Sequence, residues 1–307
     1  MTAAPAGVTL LRRNTTLRTA VPRTVATVAV IETTGLTKRY GETAAVRGLD
    51  LTVDGGRIYG FLGPNGAGKT TTMRLLTGLT RPTSGSATVA GVDVRDRDQL
   101  GERIGYAPDT PPLYEKLTAR EQLAAVADVR GIDREHKRER IPALLDRFDL
   151  DDADEPIETY SRGMKQKTSV VQAIVHEPDV VFLDEPTSGL DPNAARTMKT
   201  VLADLREAGT TVFLSTHVLP VVDELADTVG LLYDGQLLAE DDPESLKDAL
   251  AGDSLEDAFV ELTTNGHGAT AAVTEDTPGD AGEGATGEGA GDPSNADGTP
   301  LDYSTDR

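Results

Sequence analysis

The chain has 307 residues, enough for one large domain or two modest ones with a substantial core. It contains no cysteine, which removes disulfide scaffolds and thiolate metal sites, and 51 acidic against 30 basic residues leave a net charge of −21. That sign argues against unspecific binding to nucleic acid or to an anionic membrane, and suits a protein kept soluble in high salt, where self-repulsion is screened.

Residues 1–28 carry Arg12, Arg13, Arg18 and Arg23 and no acid at all. Such a leader has the composition of an organelle transit peptide, of a disordered extension or of a misassigned start; one of the latter two is expected. From there the pattern alternates. AVRGLDLTV and RIYGFLG read as strands, KTTTMRLLTGL as a helix closed by the turn residues RPTSG, and SATVAG as a short strand. TAREQLAAVADVRGI, DREHKRERIPALLDRFDL and the segment after YSRG have helical spacing, which makes residues 115–177, approximately, an all-helical insertion. VVFLD and TVFLST are continuous apolar runs of the kind that form buried parallel strands, and helical patterns follow them near Pro192 and Leu219. These runs are strand-sized, far short of the ~20 residues of a membrane-spanning helix. Residues 265–307, rich in Gly, Ala, Thr, Asp and Glu, cannot bury enough apolar surface to offset ordering entropy and are expected to be disordered.

Directly after the strand IYGFL stands GPNGAGKT, Gly63–Pro64–Asn65–Gly66–Ala67–Gly68–Lys69–Thr70, followed by Thr71. Its glycines let backbone N–H groups turn inward around phosphate oxygens, and the helix that follows aims its N-terminus at the same anion. Lys69 can reach the β- and γ-phosphates, and the Thr70 hydroxyl can ligate Mg²⁺. VVFLDEP, residues 180–186, ends a buried strand in two carboxylates. Asp184 would hold Mg²⁺ through water, and Glu185 could accept the proton of an attacking water. The pair of motifs defines a nucleoside-triphosphate site.

Other positions carry two readings each. His217, ending TVFLST, could reach the γ-phosphate, or serve as a polar strand end. Tyr40 could stack on an adenine ring, or sit as a rim tyrosine. Ser188, Gly189, Leu190 and Asp191 form either part of the site or a plain turn into a helix cap. Asp109, in IGYAPDTPPLY, is either a metal or water contact or a turn acid before prolines.

Taken in order, these segments resemble the ATP-binding cassette proteins, over residues 30–262, approximately. YSRGMKQK, residues 160–167, stands where that family carries its signature motif, usually LSGGQ. Ser161 and Gly163 keep two fixed positions; Tyr160, Arg162 and Met164 depart from the commonest form, and Gln166 follows. The version here looks like the branch that energises exporters of the drug- and antibiotic-resistance type, and SLEDAFVELT, residues 254–263, resembles that branch's C-terminal helix. The resemblance implies a P-loop α/β fold with a parallel sheet flanked by helices, an antiparallel β subdomain and the helical insertion. It assigns residues 29–243 to the nucleotide-binding domain and 244–264 to a short C-terminal helical segment. It further implies ATP and Mg²⁺ as ligands, Tyr40 on the adenine, and Ser188–Asp191 as the D-loop. Two ATPase chains, identical or not, would face head to tail, so that the signature helix of each meets the γ-phosphate held by the other. The physics agrees: Ser161 can cap a helix start, Gly163 permits close backbone approach, and a helix N-terminus attracts phosphate.

In the family the Q-loop glutamine stands where this chain has Asp109, one methylene shorter and charged. A separate membrane permease is the implied partner, docking beside residues 110–135 on the cytoplasmic face of the membrane. A soluble cassette acting on ribosomes or DNA is the alternative; one cassette, no heptad run and the charge weigh against it. A kinase or GTPase of the same P-loop class should lack YSRGMKQK and His217.

Overall fold

The computed structural model describes residues 28–249 and the two-residue strand β1 (Leu17–Arg18). The expectations for the rest of the leader, for SLEDAFVELT and for the acidic tail lie outside the described residues.

Two sheets build the molecule. The larger runs β1–β11–β10–β4–β9–β8–β7, where β4 is Ile58–Leu62, β7 Ile104–Ala107, β8 Val180–Asp184, β9 Thr211–Thr216, β10 Thr228–Tyr233 and β11 Gln236–Asp241. The smaller is antiparallel, in the order β3 (Thr43–Asp54), β2 (Ala29–Tyr40), β5 (Ser84–Val89), β6 (Val92–Asp93). The expected parallel sheet is present, with β10, β4, β9, β8 and β7 parallel to one another, and it is extended by β11, which runs antiparallel to β10. The cause is local. Asp234 and Gly235 between them both have positive φ, 46° and 75°, the backbone of a tight hairpin turn with an Asp-Gly pair.

The apolar runs of β4, β8 and β9 are buried at every position. Strand alternation sends their side chains to two different cores. Ile58, Leu62, Val181, Leu183, Val212 and Leu214 face the helices. Tyr59, Phe61, Phe182 and Phe213 face the antiparallel sheet and helix α1 (Lys69–Leu76). There Phe213 lies 5.2 Å from Tyr59 in a near-parallel stack and within 5.5 Å of Phe61 and Phe182, centroid to centroid. A sheet covered on both faces explains why these strands show no polar alternation.

Helix α2 (Arg97–Arg103) leads into the edge strand β7. The helical insertion consists of α3 (Ala119–Val129), α4 (Arg134–Arg147), one turn of 3₁₀ helix and α5 (Arg162–Ile174). Thr118 and Glu121 close a reciprocal capping box on α3, and Asp133 caps α4. Helix α6 (Pro192–Glu207) begins on Asp191, whose carboxylate accepts from the N–H groups of Asn193 and Ala194, and Pro192 fills the first turn. Helices α7 (Leu219–Leu225) and α8 (Pro243–Ala249) complete the described part. No helix among the described residues is long and apolar enough to cross a membrane.

Candidate functional site

The site gathers where β4, β8 and β9 end side by side, at the C-terminal edge of the parallel strands, the usual place for a ligand in such a sheet. Residues 63–68 connect β4 to α1. Gly68 precedes the first helical residue with φ 108°, and a Cβ there would fall 2.4 Å from the Ala45 carbonyl oxygen, so only glycine fits. No side chain caps α1 and its first turn holds no acid. Its leading N–H groups are therefore available to an anion.

Lys69 is buried, and its ammonium donates to the carbonyls of Gly63 at 2.6 Å and Pro64 at 3.3 Å. It stands 3.8 Å from Glu185 Oε1. Burial holds its pKa below the ordinary lysine value, and the carboxylates of Glu185 and Asp184 oppose that shift. Rather than extending freely, the cation is folded onto the loop it belongs to.

The two carboxylates at the end of β8, Asp184 on the strand and Glu185 directly after it, are buried and fully engaged. Thr70 Oγ1 donates to Asp184 Oδ2 at 2.8 Å, and Ser215 Oγ donates to the other oxygen of Asp184. Glu185 has φ 52°, unusual for a residue with a side chain, and its N–H donates to the Ser215 carbonyl at 2.9 Å. Thr216 Oγ1 donates to Glu185 Oε2 at 2.9 Å, and His217 Nδ1 lies 2.8 Å from Oε1. That contact requires the proton on Nδ1, which leaves Nε2 on the outer side of the ring. His217 is half exposed, so it forms the rim while Glu185 forms the floor.

The sequence reading had Lys69, Thr70, Asp184, Glu185 and His217, and the fold brings all five together. It missed three neighbours. Ser215 and Thr216 fix the two carboxylates. Tyr106 on β7 has its phenol pushed up to about 12 by burial, with the charge of Asp184 adding and a hydrogen bond from Arg74 opposing. The hydroxyl pair at the end of TVFLST, directly before His217, was the signal available for the first two. Tyr106 gave none.

Tyr40 stands apart, half exposed at the β2–β3 turn, with the Lys38 ammonium 5.0 Å from its ring centroid. The hairpin it ends supplies Ala45, against which Gly68 packs. YSRGMKQK starts α5. Ser161 caps it, accepting from the Met164 N–H, and Gly163 approaches Leu190 so closely that a Cβ would meet Leu190 Cδ2 at 3.3 Å. Gln166 is buried, its amide nitrogen without a partner among the described residues. Arg162 donates to Ser188 Oγ at 3.2 Å and lies 3.6 Å from Asp109 Oδ1. Asp109 thus meets the signature segment in its own chain.

A glycine-rich loop before a helix, a buried Thr–Asp pair and a carboxylate braced by histidine define a P-loop nucleotide hydrolase. Residues 46–188 match the ABC transporter family. The chain is 43% identical over 227 residues to the daunorubicin/doxorubicin resistance ATP-binding protein DrrA of Streptomyces peucetius, covering 73% of this chain and 69% of that one. It is 40% identical over 236 residues to a fluoroquinolones export ATP-binding protein of Mycobacterium tuberculosis, covering 75% and 77%. Among solved structures, a dimeric bacterial ABC transporter cassette superposes with a TM-score of 0.65 at 25% identity, over 69% of this chain and 98% of that one. The chain belongs to the ATP-binding cassette family. It is an ATP-binding, ATP-hydrolysing subunit of a transporter, of a kind that works with membrane components and pairs with a second ATPase domain.

Proposed function

We propose that this chain powers export of a drug-like compound through a separate membrane permease, by closing and reopening a pair of ATPase chains. In this reading the triphosphate lies along residues 63–71 at the N-terminus of α1, with the adenine against Tyr40. Lys69 leaves the carbonyls of Gly63 and Pro64 for the β- and γ-phosphates. Glu185 accepts a proton from the water that attacks the γ-phosphorus; the bond to the bridging oxygen breaks, and ADP and phosphate separate. His217 orients Glu185 and the water. The observation that carries this assignment is the buried Glu185, held by Thr216 and His217 within reach of Lys69.

Thr70 and Asp184 fit a Mg²⁺ ion. Their oxygens already lie 2.8 Å apart, and Mg²⁺ takes one or two protein oxygens, with waters and substrate phosphates completing the shell. When bound, the ion would neutralise charge on the phosphates, with Asp184 holding it through water. Ser161, Arg162, Gly163, Met164 and Gln166 meet the nucleotide of the opposite chain, and Ser188–Asp191 line the seam between them. Whether that chain is a copy or a sibling ATPase, its signature helix supplies what the first chain lacks. The permease docks at residues 110–135, where Tyr114 and Val129 stand exposed, and so holds the chain on the cytoplasmic face of the membrane. Nucleic acid has no place in the cycle, and the −21 charge suits a cytoplasm of high ionic strength.

The test is Glu185→Gln, which keeps size and hydrogen bonding but removes the proton acceptor. Hydrolysis should fall by ~10²–10⁴-fold, and the variant should elute as a dimer with ATP and Mg²⁺ at salt high enough to screen the chains' charge. Adding Ser161→Arg should return it to monomers that still bind ATP. A double variant that dimerises undiminished removes the shared-site reading.

A further inference from the structure

Arg162 is the first residue of α5, where the aligned peptide dipoles already place positive charge. A cation there is electrostatically unfavourable, and the first turn of α5 holds no acid to offset it. Lys165 follows less than one turn later. The offsetting charge comes from the loop between β7 and α3. Asp109 Oδ1 lies 3.6 Å from Arg162 Nη2, and Glu115 Oε1 lies 3.0 Å from Lys165 Nζ. The same Nη2 donates to Ser188 Oγ at 3.2 Å. The guanidinium also lies against Gly189, where a Cβ would come within 3.1 Å of Arg162 Cδ and Nε. Three segments from three parts of the sequence therefore converge on one guanidinium: the loop after β7, the loop after β8 and the start of α5.

Both Asp109 and Arg162 are more than half exposed, so neither is there for the core. Both are also positions where the sequence departs from the commonest family pattern, Asp for Gln and Arg for Gly. A neutral side chain at 109 would leave the helix start uncompensated. A carboxylate offers it an anion from its own chain.

We propose that Arg162 is a positioning residue held in the free chain by Asp109, and that ATP-driven pairing exchanges this carboxylate for phosphate on the nucleotide of the opposite chain. The inference rests on the shared-site reading above and deepens it. Asp109 competes with the partner's nucleotide for the same guanidinium, and its loop is released when the nucleotide wins. Ser188 and Gly189 keep the guanidinium in place during the exchange, so the loop after β8 registers which anion is bound.

The experiment uses the full chain carrying Glu185→Gln, with ATP titrated at saturating Mg²⁺ and dimer followed by size-exclusion chromatography at several salt concentrations. Asp109→Asn in that background should lower the ATP concentration for half-maximal dimer by about two- to fivefold, the scale of an exposed ion pair. Asp109→Glu should restore the parent's midpoint, and the gain should shrink as salt rises. With Arg162→Gln also present, Asp109→Asn should change nothing further, because two residues that act through one contact are not additive. A midpoint that Asp109→Asn leaves unmoved, or an equal shift without Arg162, overturns the exchange. If the Glu185→Gln parent never pairs with ATP, the shared site itself fails and the exchange falls with it; a parent that pairs normally while Asp109→Asn is silent removes the exchange alone.

Discussion

The two halves of the proposed site are built in opposite ways. Around Lys69, Asp184 and Glu185 the side chains are buried, and each carboxylate oxygen has a donor from the same chain. Around Ser161 and Arg162 the groups are mostly exposed, the contacts are long, and a buried amide nitrogen on Gln166 has no partner among the described residues. A hydrolysis centre needs groups that are preorganised before substrate arrives, and low dielectric strengthens each of its interactions. A surface that must meet another molecule cannot be satisfied in advance.

The largest effect that separates the halves should come from Lys69→Ala. It deletes the cation proposed to meet the phosphates, and two charge-assisted hydrogen bonds correspond to a loss of roughly a hundredfold or more in nucleotide affinity. Calorimetry at high salt checks this. Near wild-type affinity would show that the loop 63–68 does not bind phosphate. Gly189→Ala probes the other half. It forces a side chain to φ 71° and against the Arg162 guanidinium, at a cost of about 1–2 kcal/mol for the backbone. Its melting temperature should drop by a few degrees, and ATP-dependent pairing should weaken more than monomer nucleotide binding. Equal losses would mean that the two halves are not separable. Ser161→Ala should cost about 1 kcal/mol through the lost cap on the Met164 N–H, again with the larger effect on pairing.

The same contrast decided what could be read from the residues. GPNGAGKT and VVFLDEP are contiguous segments whose local structure follows from backbone geometry and strand burial, so the strand–loop–helix turn and the paired carboxylates at the end of β8 were legible. His217 was legible only as one of two readings, because its worth depends on lying 2.8 Å from a glutamate thirty-two positions earlier in the chain. The bracing by Ser215 and Thr216, and the nearness of Tyr106 to Asp184, required knowing that β8 has β9 on one side and β7 on the other. The Arg162–Asp109 contact joins the start of α5 to the loop after β7 and leaves no local trace. The β10–β11 hairpin is the reverse case: YDGQ carries a local turn signal, yet the antiparallel edge strand it adds to the parallel sheet was not among the expected elements.

Helix α5 carries the contrast within itself. Its N-terminus is exposed and cationic; its C-terminus is buried and closed by the chain's own groups. Arg140 donates to the carbonyls of Val175 at 2.9 Å and Ile174 at 3.0 Å, a cation where the helix dipole favours one. His176, just beyond, bonds the Ile104 carbonyl at 2.9 Å through Nε2, while Nδ1 is buried without a partner among the described residues. Burial pulls its pKa down to about 4; Arg130 and Arg140 push the same way, and the bond to Ile104 opposes them. The folded chain therefore keeps this histidine neutral well below the ordinary value near 6.5, while the unfolded chain protonates it. Between about pH 6.5 and 4 the unfolded state binds more protons, so stability from this group falls with acid, by up to about 1.4 kcal/mol per pH unit. At neutral pH His176→Gln should be the mildest of these changes. As pH drops, the variant, which cannot be protonated there, should lose less stability than the wild type, so that the difference in melting temperature narrows or reverses by pH 4.5. Parallel acid profiles for the two chains would show that His176 is protonated in the folded state, and that the buried end of α5 is as open to solvent as its signature end.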